Sequence, residues 1–391
     1  MLPVLCSRTL RQPAETQGKD LVTSRTPAIP SEPDVLAAVA AVVEPELGRP
    51  LGECGMVQGV VVRPGRVDVS LALAVPGHPQ GERIRHEVAS AVGALGVDEV
   101  VVDLTAMNDR DRARLRRQLQ GERPDPATVF EQTRIFAIAS GKGGVGKSSI
   151  AANIAVAMAR RGRRVALMDA DVWGFSIPRM MGIGRGPIIV DGLLVPLVAH
   201  GVRVMSVGLL TEESAPVIWR GPMLHKMLEQ FVSDVLWDRP EVLVVDMPPG
   251  TGDISLSLSR LLPDAGVVVV TTPQPAAQRV AQRAAYMARQ VKLRVVGVVE
   301  NMSWFTSNDG ERHELFGAGG GDLLARELDV PFLGQVALVP ALREGADRGE
   351  PIVVRQPESE AARTLDAVAG RLLDLAPTRI RRPQLRVSGS G

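Results

Sequence analysis

Cysteine is scarce in this chain of 391 residues, which contains only Cys6 and Cys54. Two cysteines cannot form the disulfide framework of a small secreted fold, and these two do not form a Cys-x-x-Cys metal pair. No apolar run approaches the about 20 residues of a membrane-spanning helix. The formal net charge is only +1, so no broad basic field favours nucleic acid or an acidic membrane. We therefore expect a cytoplasmic protein that binds neither.

Lysine is also scarce, since it supplies five of the 45 basic residues: Lys19, Lys142, Lys147, Lys226 and Lys292. Arginine is used almost everywhere else. Two of the five lysines nevertheless lie five positions apart in one glycine-rich segment. This placement indicates a site that needs a compact ammonium group on a slim stem instead of a planar guanidinium group.

The patterns along the chain divide it into five parts. Residues 1–29 are aperiodic and are predicted to be a disordered leader. Residues 30–121 predict a small α+β domain, and residues 122–133, which include two prolines, predict a linker. Residues 134–376 contain buried strands that alternate with helices, which predicts an α/β domain with a mostly parallel sheet. Residues 377–391 are predicted to be a basic, disordered tail.

Hydrophobic periodicity predicts the single elements. In the small domain, we expect a helix from Ser31 to about Pro45, strands at 57–62 and 67–74, a helix at 80–95, a strand at 99–104 and a helix at 109–120. In the second domain, we expect strands at 135–139, 164–168, 202–207, 242–245, 266–271, 293–299 and 332–335. Its helices are predicted at 148–161, 223–235, 254–260, 276–290, 318–328 and 361–375.

The first strand of the second domain is followed by a glycine-rich loop and a helix. The loop matches the pattern G-x-x-x-x-G-K-[S/T] in the strand–loop–helix order that this pattern requires. Glycines let backbone N–H groups turn toward phosphate oxygens, and the helix N-terminus adds unpaired donors. We expect Lys147 to bridge the β- and γ-phosphates and the Ser148 hydroxyl to bind Mg²⁺. The predicted nucleotide-binding residues are Gly141, Lys142, Gly143, Gly144, Val145, Gly146, Lys147, Ser148 and Ser149.

Two acidic segments follow other predicted strands of this domain. Asp169 and Asp171 follow its second strand, and Asp246 begins the run DMPPGTGD after its fourth. The carboxyl ends of parallel strands face the ligand crevice, so these carboxylates can hold Mg²⁺ and its waters. The predicted metal-binding residues are therefore Ser148, Asp169 and Asp246. An aspartate after a strand is often only a helix cap, and Asp169 could have that role.

The segment GKGGVGKS resembles the phosphate loop of the Mrp-type (ApbC-like) P-loop ATPases, which carry iron–sulfur clusters and are related to MinD and ParA. The segments LMDADVWGFSIPRMMG, VIWRGPM, DMPPGTGD and VVENMSWF are similar to the same family, and the resemblance covers residues 30–375. Residues 30–121 resemble a small domain associated with metal–sulfur cluster assembly. The resemblance implies a P-loop NTPase fold and a slow, Mg²⁺-dependent ATPase activity.

The resemblance also implies how Lys142 is used. In the family, the matching lysine reaches the nucleotide of the partner subunit, which implies a homodimer that encloses ATP between its subunits. Lys142, Lys147 and Asp171 would then serve catalysis, with Asp171 orienting or activating the attacking water. The simpler alternative is that Lys142 is a solvated charge on the loop.

Further residues are matched to the family on the same grounds. Asp246 would support Mg²⁺, and the backbone N–H of Gly250 would contact the γ-phosphate and thereby distinguish ATP from ADP. Asn301, in the segment VVENMS, would contact the adenine base. No Asn-Lys-x-Asp motif for guanine is present. The expected nucleotide is therefore ATP.

The usual ligands of an iron–sulfur cluster are missing from their expected places. Members of the family commonly carry a Cys-x-x-Cys pair just after the Asn-Met-Ser segment, and two such pairs in a dimer supply four thiolates. Here residues 304–310 contain no cysteine, and His78 stands where the small domain often has one. We interpret Cys54 as a buried structural residue, and His78, His225 and His313 as surface or core residues. The resemblance therefore implies an iron–sulfur cluster, whereas the cysteines of this chain do not supply its usual ligands.

The leading hypothesis is a dimeric ATPase of the iron–sulfur carrier family, with assembly proteins or client apoproteins as partners. The alternative is a MinD/ParA-like switch without a cluster, which binds a client or positions itself on DNA or a membrane when ATP drives dimerisation. The near-zero net charge and the absence of a basic amphipathic C-terminal helix count against positioning. A reductase like the nitrogenase iron protein would need cluster cysteines, which the sequence lacks.

Overall fold

A computed structural model of the chain describes residues 30–121, 124, 126, 128–172, 174–210, 221–250 and 253–375. The predicted leader, residues 1–29, and the predicted tail, residues 377–391, lie outside the described residues. In the described ranges, no helix is both long and apolar enough to cross a membrane.

The small domain combines helices with a three-stranded sheet and a short strand pair. Its elements are α1 (Glu32–Ala41), β1 (Val43–Glu44), β2 (Arg49–Pro50), β3 (Val57–Arg63), β4 (Arg66–Leu73), α2 (Gly81–Gly93), β5 (Glu99–Ala106) and α3 (Asp109–Gln120). The Ser31 hydroxyl accepts a hydrogen bond from the backbone N–H of Asp34 and so caps α1, as N-cap serines do. β4 pairs with β3 in the antiparallel sense and with β5 in the parallel sense.

The described part of the second domain contains twelve strands: β6 (Arg134–Ser140), β7 (Val165–Asp169), β8 (Ile188–Val190), β9 (Leu193–Val195), β10 (Leu197–Ala199), β11 (Val202–Ser206), β12 (Val242–Asp246), β13 (Gly266–Thr271), β14 (Arg294–Asn301), β15 (Phe305–Thr306), β16 (Arg312–His313) and β17 (Phe332–Val336). Eight of them form one sheet in the order β10-β11-β7-β12-β6-β13-β14-β17. Only the edge strand β10 is antiparallel to its neighbour. The predicted fold class, a P-loop NTPase with a mostly parallel sheet behind a small α+β domain, is confirmed.

Helices cover both faces of this sheet: α4 (Lys147–Arg160), α5 (Ile177–Met180), α6 (Gly221–Ser233), α7 (Asp253–Leu261), α8 (Pro275–Gln290), α9 (Gly320–Glu327), α10 (Pro340–Arg348), α11 (Ile352–Arg355) and α12 (Glu360–Asp374). Side chains alternate between the two faces along a strand. In β6, Ile135 and Ala137 therefore join the core beneath α6 to α9, whereas Phe136 and Ile138 join the core beneath α4, α11 and α12.

The β8–β9 hairpin of the second domain packs into the core of the small domain. Ile188, Val190, Leu193 and Val195 are buried in the same apolar cluster as residues of the small-domain sheet and helices. Arg185, just before β8, forms an ion pair with Glu46 of the small domain. The two domains are therefore joined by packed side chains and not only by the connecting chain.

Several short elements were not predicted. The sequence analysis missed α5, α10 and α11 as well as the strand pairs β1–β2, β8–β9 and β15–β16 and the edge strand β10. Apart from α10, which has nine residues, these elements have two to four residues and are too short to show a period of 2 or 3.6. In the predicted linker, Phe130 is buried in the core of the second domain, and its ring centroid lies 6.0 Å from that of Trp237. This end of the linker is therefore packed.

Candidate nucleotide-binding site

The glycine-rich loop between β6 and α4 lies at the carboxyl edge of the sheet. Gly144 and Gly146 have φ angles of +79° and +82°, a conformation that residues with a β-carbon rarely adopt. Gly146 is also the N-cap of α4, and a β-carbon on it would overlap Nδ2 of Asn301. The loop thereby brings backbone N–H groups and the positive end of α4 to one place, which suits an anion such as phosphate.

Lys147 and Ser148, the first residues of α4, converge on Asp246 at the end of β12. Lys147 Nζ donates to Asp246 Oδ1 at 2.6 Å, and the Ser148 hydroxyl donates to Asp246 Oδ2 at 2.6 Å. Asp171 Oδ2 lies 3.5 Å from Lys147 Nζ. Lys147 is only 6% exposed and Asp246 is fully buried, so the ammonium group compensates a carboxylate that burial disfavours. These four residues form one connected cluster.

Asp169 lies behind this cluster and does not line the cleft. It pairs with Asp246 across neighbouring strands, and it accepts hydrogen bonds from the Ser206 hydroxyl at 2.9 Å and the Asp171 backbone N–H at 3.1 Å. Burial and then the charge of Asp246 raise the pKa of Asp169 to about 7. These contacts make Asp169 a support for the loop that carries Asp171. Direct binding of Mg²⁺ by Asp169 stays a prediction.

Asp171 and Gly250 lie on two loops that border the phosphate loop. The Asp171 carboxylate accepts a hydrogen bond from the backbone N–H of Gly174 at 3.2 Å. The backbone N–H of Gly250 donates to the carbonyl oxygen of Ser140 at 2.9 Å. A contact between this N–H and a γ-phosphate would therefore require an exchange of partners, and it stays a prediction.

Asn301, at the end of β14, contacts the phosphate loop. Its Nδ2 donates to the carbonyl oxygen of Val145 at 2.9 Å, and the side chain is buried. Its Oδ1 has no hydrogen-bond partner among the described residues. The side chain thus supports the loop, a role that the sequence analysis did not predict. The predicted contact with adenine stays a prediction, for which Oδ1 is the free acceptor.

Most of the predicted loop residues line one cleft of about 500 Å³, whereas Gly141 and Val145 do not. Its lining includes Ser140, Lys142, Gly143, Ser149, Asp171 and Pro248. Mg²⁺ prefers oxygen ligands and usually takes only one or two carboxylates from a protein. The hydroxyl of Ser148, which lines the cleft, and the buried carboxylate of Asp246, which contacts that hydroxyl, fit that preference.

Lys142 reaches across the edge of the cleft to a residue that the sequence analysis missed. Its Nζ donates to Oε1 of Gln274 at 3.1 Å. Gln274 follows β13 and immediately precedes α8, so it also lies at the carboxyl edge of the sheet. That position was the only signal in the sequence that could have indicated it.

A second polar cluster is buried in the small domain. His78 Nε2 lies 3.3 Å from Glu44 Oε1, and both side chains are fully buried. Glu44 Oε2 accepts the backbone N–H of Leu47 at 2.5 Å, and His78 Nδ1 accepts that of Gln80 at 3.3 Å. Burial raises the pKa of Glu44 to about 7. Burial, followed by the charge of Arg185, lowers the pKa of His78 to about 4.

Cys54 fits poorly as a cluster ligand. It is only 2% exposed and belongs to the apolar core of the small domain, which agrees with the structural role predicted for it. Burial and then the charge of Glu44 raise the pKa of this thiol to about 12, whereas the thiolate is the form that binds metals. Across the described ranges, no group of three or more His, Cys, Asp and Glu side chains could hold a metal ion.

The segment after the Asn-Met-Ser sequence forms the short hairpin β15–β16. The guanidinium carbon of Arg312 lies 4.6 Å from the centre of the Trp304 ring. His313 is exposed and its Nε2 lies 3.1 Å from the Ser307 hydroxyl, while His225 is half-buried in α6. A cation–π pair and a hydroxyl–imidazole contact therefore lie in the segment where the family resemblance implies a Cys-x-x-Cys pair.

Comparison with known proteins gives matches over both domains. A family model described as "NUBPL iron-transfer P-loop NTPase" matches residues 131–373, and one described as "Iron-sulfur cluster assembly protein" matches residues 32–103. The chain is 44% identical over 368 residues to an iron-sulfur cluster carrier protein of Mycobacterium tuberculosis, with 88% of this chain and 97% of the relative covered. It is 42% identical over 310 residues to the protein of the same name in Bacillus subtilis, with coverage of 78% and 88%.

A solved structure is also similar to more than half of the chain. A nucleotide-binding protein from Archaeoglobus fulgidus in complex with ADP is 33% identical, with a TM-score of 0.52. The match covers 60% of this chain and 95% of that protein. The relative therefore has the same fold and was solved with a nucleotide.

Proposed function

Because the chain belongs to the iron–sulfur cluster carrier family of P-loop NTPases, we propose that it hydrolyses ATP as a homodimer and uses this cycle to handle clusters for client apoproteins. The observation that carries the proposal is the contact of Lys147 and Ser148 with Asp246 and Asp171 at the glycine-rich loop. Such a cluster offers a cation that could bind phosphate and, next to it, a hydroxyl and two carboxylates that could bind a metal ion and water.

Nucleotide binding requires this cluster to rearrange. We infer that Lys147 exchanges its carboxylate partners for the β- and γ-phosphate oxygens of ATP. The Ser148 hydroxyl and Asp246, released from each other, would hold Mg²⁺, which when bound neutralises phosphate charge. Each residue thus trades one partner of opposite charge or polarity for another, which keeps the buried polar groups paired.

Asp171 is the residue proposed to act on water. When Lys147 moves to the phosphates, the Asp171 carboxylate loses its cationic neighbour at 3.5 Å and becomes free to accept a hydrogen bond from water. It would orient the water toward the γ-phosphorus and take its proton as the bond to the leaving ADP breaks. The products are ADP and inorganic phosphate.

The dimer is the second part of the proposal. Two subunits related by a twofold axis would face each other across their phosphate loops, because each Lys142 lines its cleft and is partly exposed. Each Lys142 would then contact the nucleotide of the other subunit, so that ATP favours the closed dimer and hydrolysis reopens it. We also propose a cytoplasmic location, which the shortage of cysteine in the sequence supports.

The cargo is the third part of the proposal. A four-thiolate site needs more cysteines than a dimer offers if Cys54 stays buried and protonated. We therefore propose that thiolates of a partner protein complete the binding of any cluster. A client-binding switch that never contacts a cluster is the second candidate, and the burial of Cys54 is the observation that favours it.

Anaerobic reconstitution of the full chain with iron and sulfide tests the cargo. We expect little acid-labile sulfide on the chain alone, with or without Mg-ATP. The reconstituted chain should hydrolyse ATP at the same rate as the untreated chain. Cys54→Ser should leave the iron and sulfide content as it is, and Cys6→Ser serves as the parallel variant. A stable cluster that is lost in Cys54→Ser would contradict this account and would make Cys54 a ligand. Cluster transfer to an added apoprotein would distinguish the carrier from the cluster-free switch.

A further inference from the structure

Gln274 holds the side chain of Lys142 within its own subunit. The contact joins Lys142 Nζ to Gln274 Oε1 at 3.1 Å. Lys147 has two carboxylate partners, Asp246 and Asp171, whereas Lys142 has no ion pair with any of the described residues. A neutral amide oxygen is therefore the acceptor that holds the Lys142 ammonium group within its own subunit.

The backbone beneath Lys142 cannot follow a movement of the side chain. A β-carbon on Gly141 would overlap the carbonyl carbon of Val280 in α8, so the loop and the helix are in direct backbone contact. The hydroxyl of Ser140 also donates to the carbonyl oxygen of Lys142 at 3.0 Å. Any change in the position of the ammonium group must therefore come from rotation about the side-chain bonds of Lys142.

The position beside Gln274 is electrostatically weak for a cation. Gln274 is the N-cap of α8, and the N-terminal end of a helix carries partial positive charge. The helix contains no Asp or Glu and several arginines. The Gln274 side chain makes no capping hydrogen bond, so its amide oxygen is available to Lys142. A phosphate would attract this ammonium group more strongly than an amide oxygen does.

We propose that Gln274 is a positioning residue that retains Lys142 in the open subunit and releases it to the partner's nucleotide when the dimer closes. This inference rests on the proposed homodimer. The hydrogen bond between Lys142 and Gln274 must break when the dimer closes. It therefore weakens the ATP-dependent affinity between subunits by the free energy of one hydrogen bond.

Two substitutions at this position should act in opposite directions. Gln274→Ala removes the acceptor and should lower the dimer dissociation constant about fivefold in Mg-AMP-PNP, a non-hydrolysable analogue of ATP. Gln274→Glu converts the contact into an ion pair and should raise that constant by about fivefold or more. A purely structural role at the N-cap predicts instead that Glu strengthens α8 and favours the native dimer.

Sedimentation velocity of the full chain with Mg-AMP-PNP measures these constants, and Gln290→Ala at the exposed end of α8 is the matched control. In a Lys142→Ala background, both substitutions should lose their effect. The role of Gln274 would be overturned if both substitutions changed the dissociation constant in the same direction, or if their effects persisted in the Lys142→Ala background. The proposed dimer would stand in either case. A parent chain that stays monomeric with the analogue would overturn the proposed dimer and this inference together.

Discussion

Replacing Lys147 with alanine is expected to abolish ATP turnover and to weaken the binding of Mg-ATP by about a hundredfold or more. The substitution removes the cation that would contact the phosphates. It also leaves the carboxylates of Asp246 and Asp171 without the ammonium group that lies 2.6 Å and 3.5 Å from them. Burial already raises the pKa of Asp246, and loss of Lys147 should raise this pKa further.

Isothermal titration with Mg-ATP and a phosphate-release assay measure both parts of this prediction. Lys226→Ala is the matched control, because Lys226 is an exposed lysine on α6 and should behave like the parent chain. Lys147→Arg should also lose activity, since a planar guanidinium group does not replace a compact ammonium group in the loop. Unchanged binding and turnover in Lys147→Ala would refute the assignment of the cleft.

The second large effect is expected in the small domain, as a change in how stability depends on pH. The pKa of Glu44 rises from 4.5 to about 7 on folding, so its contribution to the free energy of unfolding is complete below pH 4.5. That contribution is lost as the pH rises through 7, by up to about 3 kcal/mol. The pKa of His78 falls from 6.5 to about 4, so its contribution is present above pH 6.5 and lost as the pH falls through 4.

Glutamine cannot ionise, so Glu44→Gln should remove the loss of stability near pH 7. The loss of stability near pH 4, which comes from His78, should remain. Relative to the parent chain, the variant should gain about 3 kcal/mol in the free energy of unfolding between pH 4.5 and pH 8. Urea unfolding of the full chain at several pH values measures the difference. Glu53→Gln, at an exposed position of the same domain, should show no such gain. A difference between Glu44→Gln and the parent that does not vary with pH would show that Glu44 is ionised in the folded domain.

The conformation of the glycine-rich loop could be predicted because it depends on residues that are adjacent in sequence. Lys147 and Ser148 are adjacent in sequence, and the glycines that surround them are required by backbone conformation. The convergence of Asp246 and Asp171 on Lys147 could also be anticipated, since both follow strands that end at the same edge of a parallel sheet. For these residues, the fold class and the sequence together are enough to predict that they lie close together.

Contacts between distant segments could not be predicted in the same way. Lys142 and Gln274 are 132 positions apart, and their contact depends on how α8 packs on the loop. The support that Asn301 gives to Val145 spans 156 positions. The Glu44–His78 pair depends on the fold of the small domain, since neither residue is marked by a metal-ligand spacing.

Mixing two inactive variants tests the central claim, an ATP site completed by the partner's Lys142. Lys142→Ala and Asp171→Ala should each have little ATPase activity alone. In a mixed dimer, the site that keeps Asp171 receives an intact Lys142 from the other subunit, so an equimolar mixture should recover about one quarter of the parent activity. If both lysines act within their own subunits, the mixture will stay inactive, and that result would contradict the account.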